Sequence, residues 1–186
     1  MYRADLAALN AEAIGFAPRG TATLTVSGDS LMIEIEMQDT PPGIMHLQHI
    51  HGFTGAGDAT CAEAAQDVNG DGIVDLVETE AVSGTTLIPF HADPADLRIA
   101  ADSYPVADAD GRYRYRQQVA LPQLQSALQE QLKVASLSLQ DRVIYVHGVP
   151  AETRLPATVQ SLPDVPAHVT LPIACGELTR VQERVQ

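Results

Sequence analysis

The chain has 186 residues, of which 45% are hydrophobic and 19% charged, a composition typical of a folded globular protein. Its 11 Lys and Arg residues against 24 Asp and Glu residues give a net charge of −13, which argues against nucleic-acid binding and suits a protein that binds cations. No apolar run approaches the roughly 18 residues of a membrane span, and the first residues lack the features of a secretory signal. We expect one β domain over residues 1–186, because no repeat or linker divides the chain.

The first predicted element is a β-hairpin over residues 21–38, TATLTVSGDSLMIEIEMQ. Apolar residues alternate with Thr, Glu and Gln on either side of a turn at Gly28-Asp29, which indicates two strands with one face on a core. Residues 44–53, IMHLQHIHGF, follow as a further extended segment.

Four elements are predicted in the second half of the chain. Residues 104–121 suggest a second hairpin that turns at Asp110-Gly111. Leucines recur at helical spacing through residues 121–137 and predict one helix. Residues 141–149, DRVIYVHGV, and residues 173–178, IACGEL, are short strands joined by a proline-rich connection. These elements predict an all-β fold with one short inserted helix.

A calcium-loop pattern occupies residues 67–78, DVNGDGIVDLVE, and matches D-x-[DN]-x-[DN]-G-x5-E at every specified position. Gly72 permits the sharp turn of such loops. The alternative is an acidic surface turn. The flanking residues do not resemble two long amphipathic helices, so we predict a structural calcium loop and not a sensor. Its oxygen ligands would come from Asp67, Asn69, Asp71, Ile73 (through its carbonyl), Asp75 and Glu78.

Three of the six histidines are concentrated in MHLQHIHGF, residues 45–53. Side chains two apart on a strand share a face, so His49 and His51 present their imidazoles on one side. Two such rings can chelate copper or zinc, although a surface strand can also carry them without a ligand. His147 ends another apolar strand and is the third candidate.

Cys61 and Cys175 are the only cysteines, and they are far apart in the chain. They could be two buried thiols. Bridged, they would close a loop of roughly 100 residues or more and add about 4 to 5 kcal/mol of stability.

These segments together resemble the copper-zinc superoxide dismutases. GIMHLQHIHGF, then TC, RVIYVHGV and IACGEL, follow in the order of that family's motifs, and the resemblance runs from about residue 20 to residue 178. It implies a Greek-key β-barrel. It also implies that His49, His51 and His147 bind copper, that His46 is a structural histidine beside them, and that Cys61 and Cys175 form a disulfide in an oxidising compartment.

The chain departs from the family's pattern at three places. Asp67 stands where a histidine bridges copper and zinc, and His91 is the only nearby candidate for the missing zinc histidines. Pro172 stands where the family has an arginine that attracts superoxide. His91 is either a fourth ligand or a loop histidine bonded to the backbone. Asp96 echoes the family's zinc-binding aspartate.

Three functions remain open at this point. The chain could be a copper-dependent superoxide dismutase, a non-catalytic copper carrier or buffer, or a calcium-stabilised extracellular β-sandwich that binds a partner. The departures weaken the first, and whether the protein is an enzyme stays undecided. We expect copper and calcium as cofactors without zinc, a periplasmic or secreted location, and small-molecule or metal ligands, with a homodimer left open.

Overall fold

The computed structural model describes residues 1–99 and 102–181, and antiparallel β-strands make up most of its regular structure. The strands alternate apolar and polar residues where one face is exposed, as in β3, whereas β7 is covered on both faces and is buried at every position. Their bounds are β1 (Tyr2–Ala8), β2 (Arg19–Ser27), β3 (Ser30–Gln38), β4 (Gln48–Gly52), β5 (Thr85–Pro89), β6 (Tyr113–Ala120), β7 (Val143–His147), β8 (Pro172–Glu177) and β9 (Thr179–Arg180).

The strands form one curled sheet in the order β5-β4-β7-β8-β1-β2-β3-β6, with β9 paired to β1. The strands β3 and β6 are neighbours, as are β4 and β7, so the chain crosses three times between the two halves of the sheet on its way from β3 to β7. This is Greek-key connectivity. β1 joins the halves, because its first residues pair with β2 and its last two with β8. The predicted all-β Greek-key architecture is confirmed.

The main core lies between the two halves of the curled sheet. One half contributes Leu24 and Ile33, and the other contributes Ile50 and Ile144, all at most 1% exposed. The hairpin predicted over residues 21–38 is confirmed, since β2 and β3 pair throughout around Gly28-Asp29.

A second, smaller cluster lies on the outer face of the β4–β7 half. There residues 59–74, the covering segment, pack against the sheet. Ala59, Ala62 and Val74 of this segment contact Val143 and Tyr145 of β7. As a result β4 is buried on both faces, and side chains that point away from the main core are still shielded from water.

Two predictions about local structure were wrong. Residues 104–121 do not form a hairpin, because β6 pairs with β3 and only Val106 makes a bridge, to Met45. The described residues also contain four short helices instead of one: α1 (Ala11–Ile14), α2 (Leu76–Ser83), α3 (Leu121–Ala127) and α4 (Ala167–Thr170). Helix α3 is the predicted one and continues as a π-turn over Leu128–Leu132.

The predicted disulfide is present. Cys61 and Cys175 are bonded with an S–S distance of 2.03 Å across a sequence separation of 114. The bond ties the covering segment to β8, at the edge of the second cluster. Among residues 1–99 and 102–181, no helix is long and apolar enough to cross a membrane.

Candidate metal centre

Two neighbouring strands carry the three histidines that the sequence singled out. His49 and His51 lie two apart on β4, and β7 pairs antiparallel with β4 so that Tyr145 lies opposite His49. His147, two residues after Tyr145, therefore falls on the same face of the sheet. This is the outer face, which the covering segment buries.

The three rings converge. Their centroids are 5.2 Å apart for His49 and His147, 5.8 Å for His51 and His147, and 6.0 Å for His49 and His51. One ligand nitrogen from each lies within 4.8 Å of the others, and each residue is 2% exposed. We call these residues the histidine trio. They form the one group of three or more potential ligands found in the part of the chain that the structure describes.

Each member of the trio has one bonded and one unbonded ring nitrogen. His49 Nε2 lies 2.9 Å from Tyr104 Oη, and His147 Nδ1 donates to the Thr170 carbonyl at 2.8 Å. His51 Nε2 lies 3.1 Å from the Thr86 hydroxyl. The opposite nitrogens, His49 Nδ1, His51 Nδ1 and His147 Nε2, are buried without a partner among the described residues. Buried polar atoms are normally bonded, so three such nitrogens on neighbouring rings fit a site that binds a metal ion.

The trio is poised to bind a cation because its rings are neutral. Burial, with the neighbouring His147 adding to it, lowers the pKa of His51 to about 3. Burial likewise lowers the pKa of His147 to about 4 and that of His49 well below its ordinary value. At neutral pH the rings therefore carry no positive charge that would repel a metal ion, which would be bonded directly by the unpartnered nitrogens. The donor set fits a transition-metal ion.

His46 lies beside the trio, bonded only to backbone. Its Nδ1 is 3.0 Å from the carbonyl oxygen of His147 and its Nε2 is 2.9 Å from that of Pro41. Burial lowers the pKa of His46, while the two carbonyls act in the opposite direction. The ring links the loop before β4 to the end of β7.

His91 is separated from His49 by the ring of Tyr104 and does not join the trio. Tyr104 packs edge-on against both rings, with its centroid 5.5 Å from that of His49 and 5.2 Å from that of His91. His91 Nε2 lies 2.8 Å from the Arg98 carbonyl, and its Nδ1 accepts from the backbone N–H of Asp93. Asp96 is 3.4 Å from His91 Nε2. Both nitrogens are occupied, which is the backbone-bonded arrangement considered for this residue.

A cavity of about 630 Å³ opens next to the trio. It shares Leu47, Ile99, Leu162 and Thr170 with a much smaller space of about 20 Å³ that touches His49 and His147. Ile99 and Leu162 therefore stand between the larger cavity and the histidines.

The predicted calcium loop folds as a tight turn in which carboxylates accept backbone N–H groups. Asp67 accepts from Gly70, Asp71 and Gly72. Asp75 caps helix α2, and Glu78 accepts from the N–H of Asp75 in return. The remaining predicted oxygen ligands, those of Asn69, Asp71 and Ile73, lie on the same turn. Asn69 accepts from Asp71, which accepts from Ile73.

Sequence reasoning missed the groups that hold the opposite side of each ring. Tyr104, Thr86 and the Thr170 carbonyl come from three separate segments and form no motif. The sequence signal available was an isolated tyrosine in a polar loop, ADSYPV, in a chain with only five tyrosines.

No protein-family model and no curated protein sequence matches this chain. Among solved structures it is similar to the Cu/Zn superoxide dismutase from Brucella abortus, with 18% identity, a TM-score of 0.42, and coverage of 95% of this chain and 99% of that one. It is also similar to a point mutant of a superoxide dismutase-like protein from Bacillus subtilis, with 14% identity, a TM-score of 0.48, and coverage of 94% and 95%. At these identities and scores, neither likeness assigns a function to this chain.

Proposed function

We propose that this protein binds one copper ion through His49 Nδ1, His51 Nδ1 and His147 Nε2, and that it is an exported metal-binding protein with little superoxide dismutase activity. Two observations carry the proposal: the histidine trio offers one ring nitrogen per residue within 4.8 Å of the others, and each almost fully buried ring has one nitrogen without a partner among the described residues. A bound ion would satisfy all three of these buried nitrogens at once, and each buried polar atom left without a partner costs about 1 to 3 kcal/mol.

Copper is favoured over the other first-row metals by the donor set. Three neutral imidazoles suit copper, zinc, iron and nickel, and copper binds most tightly to such nitrogen sites. When bound, copper would supply one-electron redox chemistry, while the chain's own part is to hold it in a dry pocket. Zinc is disfavoured because Asp67 and the calcium-loop pattern occupy the region in which the resembled family has its zinc histidines.

Weak dismutation is favoured by the charges around the cavity. Arg98 is paired with Asp96 at 2.9 Å, which leaves the carboxylates of Asp93 and Asp102 at the cavity. Such a surface repels an anionic substrate and attracts cations. The arginine that attracts superoxide in the resembled family is replaced by Pro172, which is buried in β8. The negative electrostatic potential at the cavity therefore suits a copper carrier or buffer better than a dismutase.

The test is a copper titration combined with a dismutase assay on the loaded protein. We expect one copper per chain and activity far below that of a copper-zinc dismutase measured in parallel. His147→Gln should remove most of the affinity, and His168→Gln, outside the trio, should not. Stoichiometric copper without effect of His147→Gln would refute the site, and high activity would refute the carrier assignment.

We also propose that residues 67–78 bind calcium. A carboxylate has about four acceptor sites, and the described backbone bonds use three on Asp67, three on Glu78 and three on Asp75. About one site per group stays free for a cation. Without one, the clustered charges repel each other. Calcium would neutralise them through oxygens, as its preference for hard ligands requires.

We propose that the protein is exported, because it contains the Cys61–Cys175 disulfide. Structural disulfides persist in oxidising compartments and are rare in the cytosol. A calcium loop of modest affinity fits the same location, because free calcium is abundant outside the cell and scarce in the cytosol. Fractionation of the native host, followed by detection of the protein in the periplasm or medium, tests this; recovery only from the cytosol would contradict it.

A further inference from the structure

We infer that Tyr104 is a positioning residue that fixes the tautomer of His49 and thereby directs the lone pair of His49 Nδ1 at the other two ligand nitrogens. The inference rests on the proposed copper site. It concerns a residue outside the motif that carries the histidines.

The direction of each hydrogen bond follows from the chemistry of the groups. Tyr104 Oη lies 3.0 Å from the Ile99 carbonyl oxygen, and a carbonyl can only accept, so the single hydroxyl proton of Tyr104 is used there. At the other contact, 2.9 Å from His49 Nε2, the hydroxyl oxygen must therefore accept. His49 Nε2 carries the proton. In a neutral imidazole this leaves Nδ1 unprotonated.

The protonation states support the same arrangement. Burial raises the pKa of Tyr104, so the phenol keeps its proton and remains a donor to Ile99. His49 is 2% exposed and its side-chain partner among the described residues is the Tyr104 hydroxyl and not a carboxylate, which suits a neutral ring with a single N–H. Together these groups form a short chain in which only one tautomer of His49 satisfies every bond.

Packing fixes the orientation of Tyr104. Tyr104 is 4% exposed. Its ring lies edge-on between two histidine rings, at an interplanar angle of 71° to His49 and 86° to His91. The hydroxyl therefore cannot turn to another acceptor without displacing both rings. Partners on the far nitrogen of a ligating histidine set its tautomer and basicity, and their loss typically costs about 10- to 100-fold in metal affinity.

Tyr115 provides a matched control. It is a second largely buried tyrosine, and its hydroxyl donates to the backbone carbonyl of His91 at 2.8 Å without touching the trio. Tyr104→Phe and Tyr115→Phe each remove one oxygen atom from the same region. Only the first removes the partner of His49.

The experiment has two readouts. In metal-free protein, long-range ¹H–¹⁵N spectra of labelled histidine should show His49 protonated at Nε2, with Tyr104→Phe converting it to a mixture of tautomers. In a copper titration, Tyr104→Phe should weaken binding by about 10- to 100-fold and change the Cu(II) electron paramagnetic resonance spectrum. Tyr115→Phe should do neither, and thermal melts should confirm that both variants fold.

Three results would overturn the inference: a wild-type His49 protonated at Nδ1, a Tyr104→Phe variant that keeps both tautomer and spectrum, or equal changes in the two variants. Failure of the wild-type protein to bind copper would instead refute the proposed function. The metal-free spectra would still decide the role of Tyr104.

Discussion

The histidine trio should make the metal-free protein sensitive to mild acid. Its three rings are neutral when folded, because burial lowers their pKa values, to about 3 for His51 and about 4 for His147. In the unfolded chain the same rings have a pKa of 6.5. The unfolded state therefore binds more protons below pH 6.5, so stability is fully present above this pH and is lost as the pH falls towards the folded values.

The size of the effect follows from the same values. Between pH 7 and pH 5, each unfolded histidine gains about 2 kcal/mol from protonation that its folded counterpart cannot match. The three rings together therefore lower the free energy of unfolding by about 6 kcal/mol. This is a large part of the total free energy of unfolding of a typical domain, about 5 to 15 kcal/mol. His147→Gln should reduce the loss by about one third, since glutamine can still donate to the Thr170 carbonyl.

The assay is urea unfolding followed by far-ultraviolet circular dichroism at several pH values, with chelator present. His168→Gln controls for the loss of a histidine outside the trio and should retain the full acid sensitivity. A wild-type unfolding free energy that stays flat from pH 7 to pH 5 would refute the reasoning. So would an equal pH dependence in wild type and His147→Gln.

Three further predictions concern the supports of the site. Reduction of Cys61–Cys175 should lower the unfolding free energy by about 4 to 5 kcal/mol in paired urea titrations with and without reductant; coincident curves would contradict this. Chelation should lower the melting temperature of calcium-loaded protein, Glu78→Gln should reproduce the loss, and the exposed Glu80→Gln should not; identical melts with and without calcium would leave an acidic turn. Leu162→Ala should speed copper uptake in stopped-flow experiments by opening the wall beside the trio, whereas Val77→Ala should not; equal rates would show that Leu162 is no barrier.

The sequence predicted those features that depend on local pattern. Alternation identified β2 and β3, and the two-residue spacing placed His49 and His51 on one face. His147 joins them only because β4 pairs with β7, which brings together residues about one hundred positions apart in sequence. The sequence offered His147 as a third candidate only from its place at the end of an apolar strand, and the likeness of motifs to a known family implied that it binds the same metal ion.

The features that the sequence failed to predict are set by tertiary contacts. Alternation at residues 104–121 correctly indicates a strand, β6, but it does not identify the partner, which is β3 and not the preceding segment. Helix α2 lacks a clear apolar stripe and is stabilised by the Asp75 cap and by packing. Tyr104 is recognisable only after folding, when its hydroxyl meets His49.

The loop with the calcium pattern and the histidine trio have no predicted ligand residue in common. However, a residue of the loop lines the space beside the trio. Leu76, the first residue of α2 after Asp75, contacts the small space beside His49 and His147. Asp75 also accepts a hydrogen bond from the backbone N–H of Gln160 at 2.7 Å. Gln160 is close in sequence to Leu162, which lines the same small space. The carboxylate of Asp75 thus connects the two segments that carry Leu76 and Leu162, both of which line the space beside the trio. We therefore expect that residues 67–78 help to shape the pocket around the trio through Leu76.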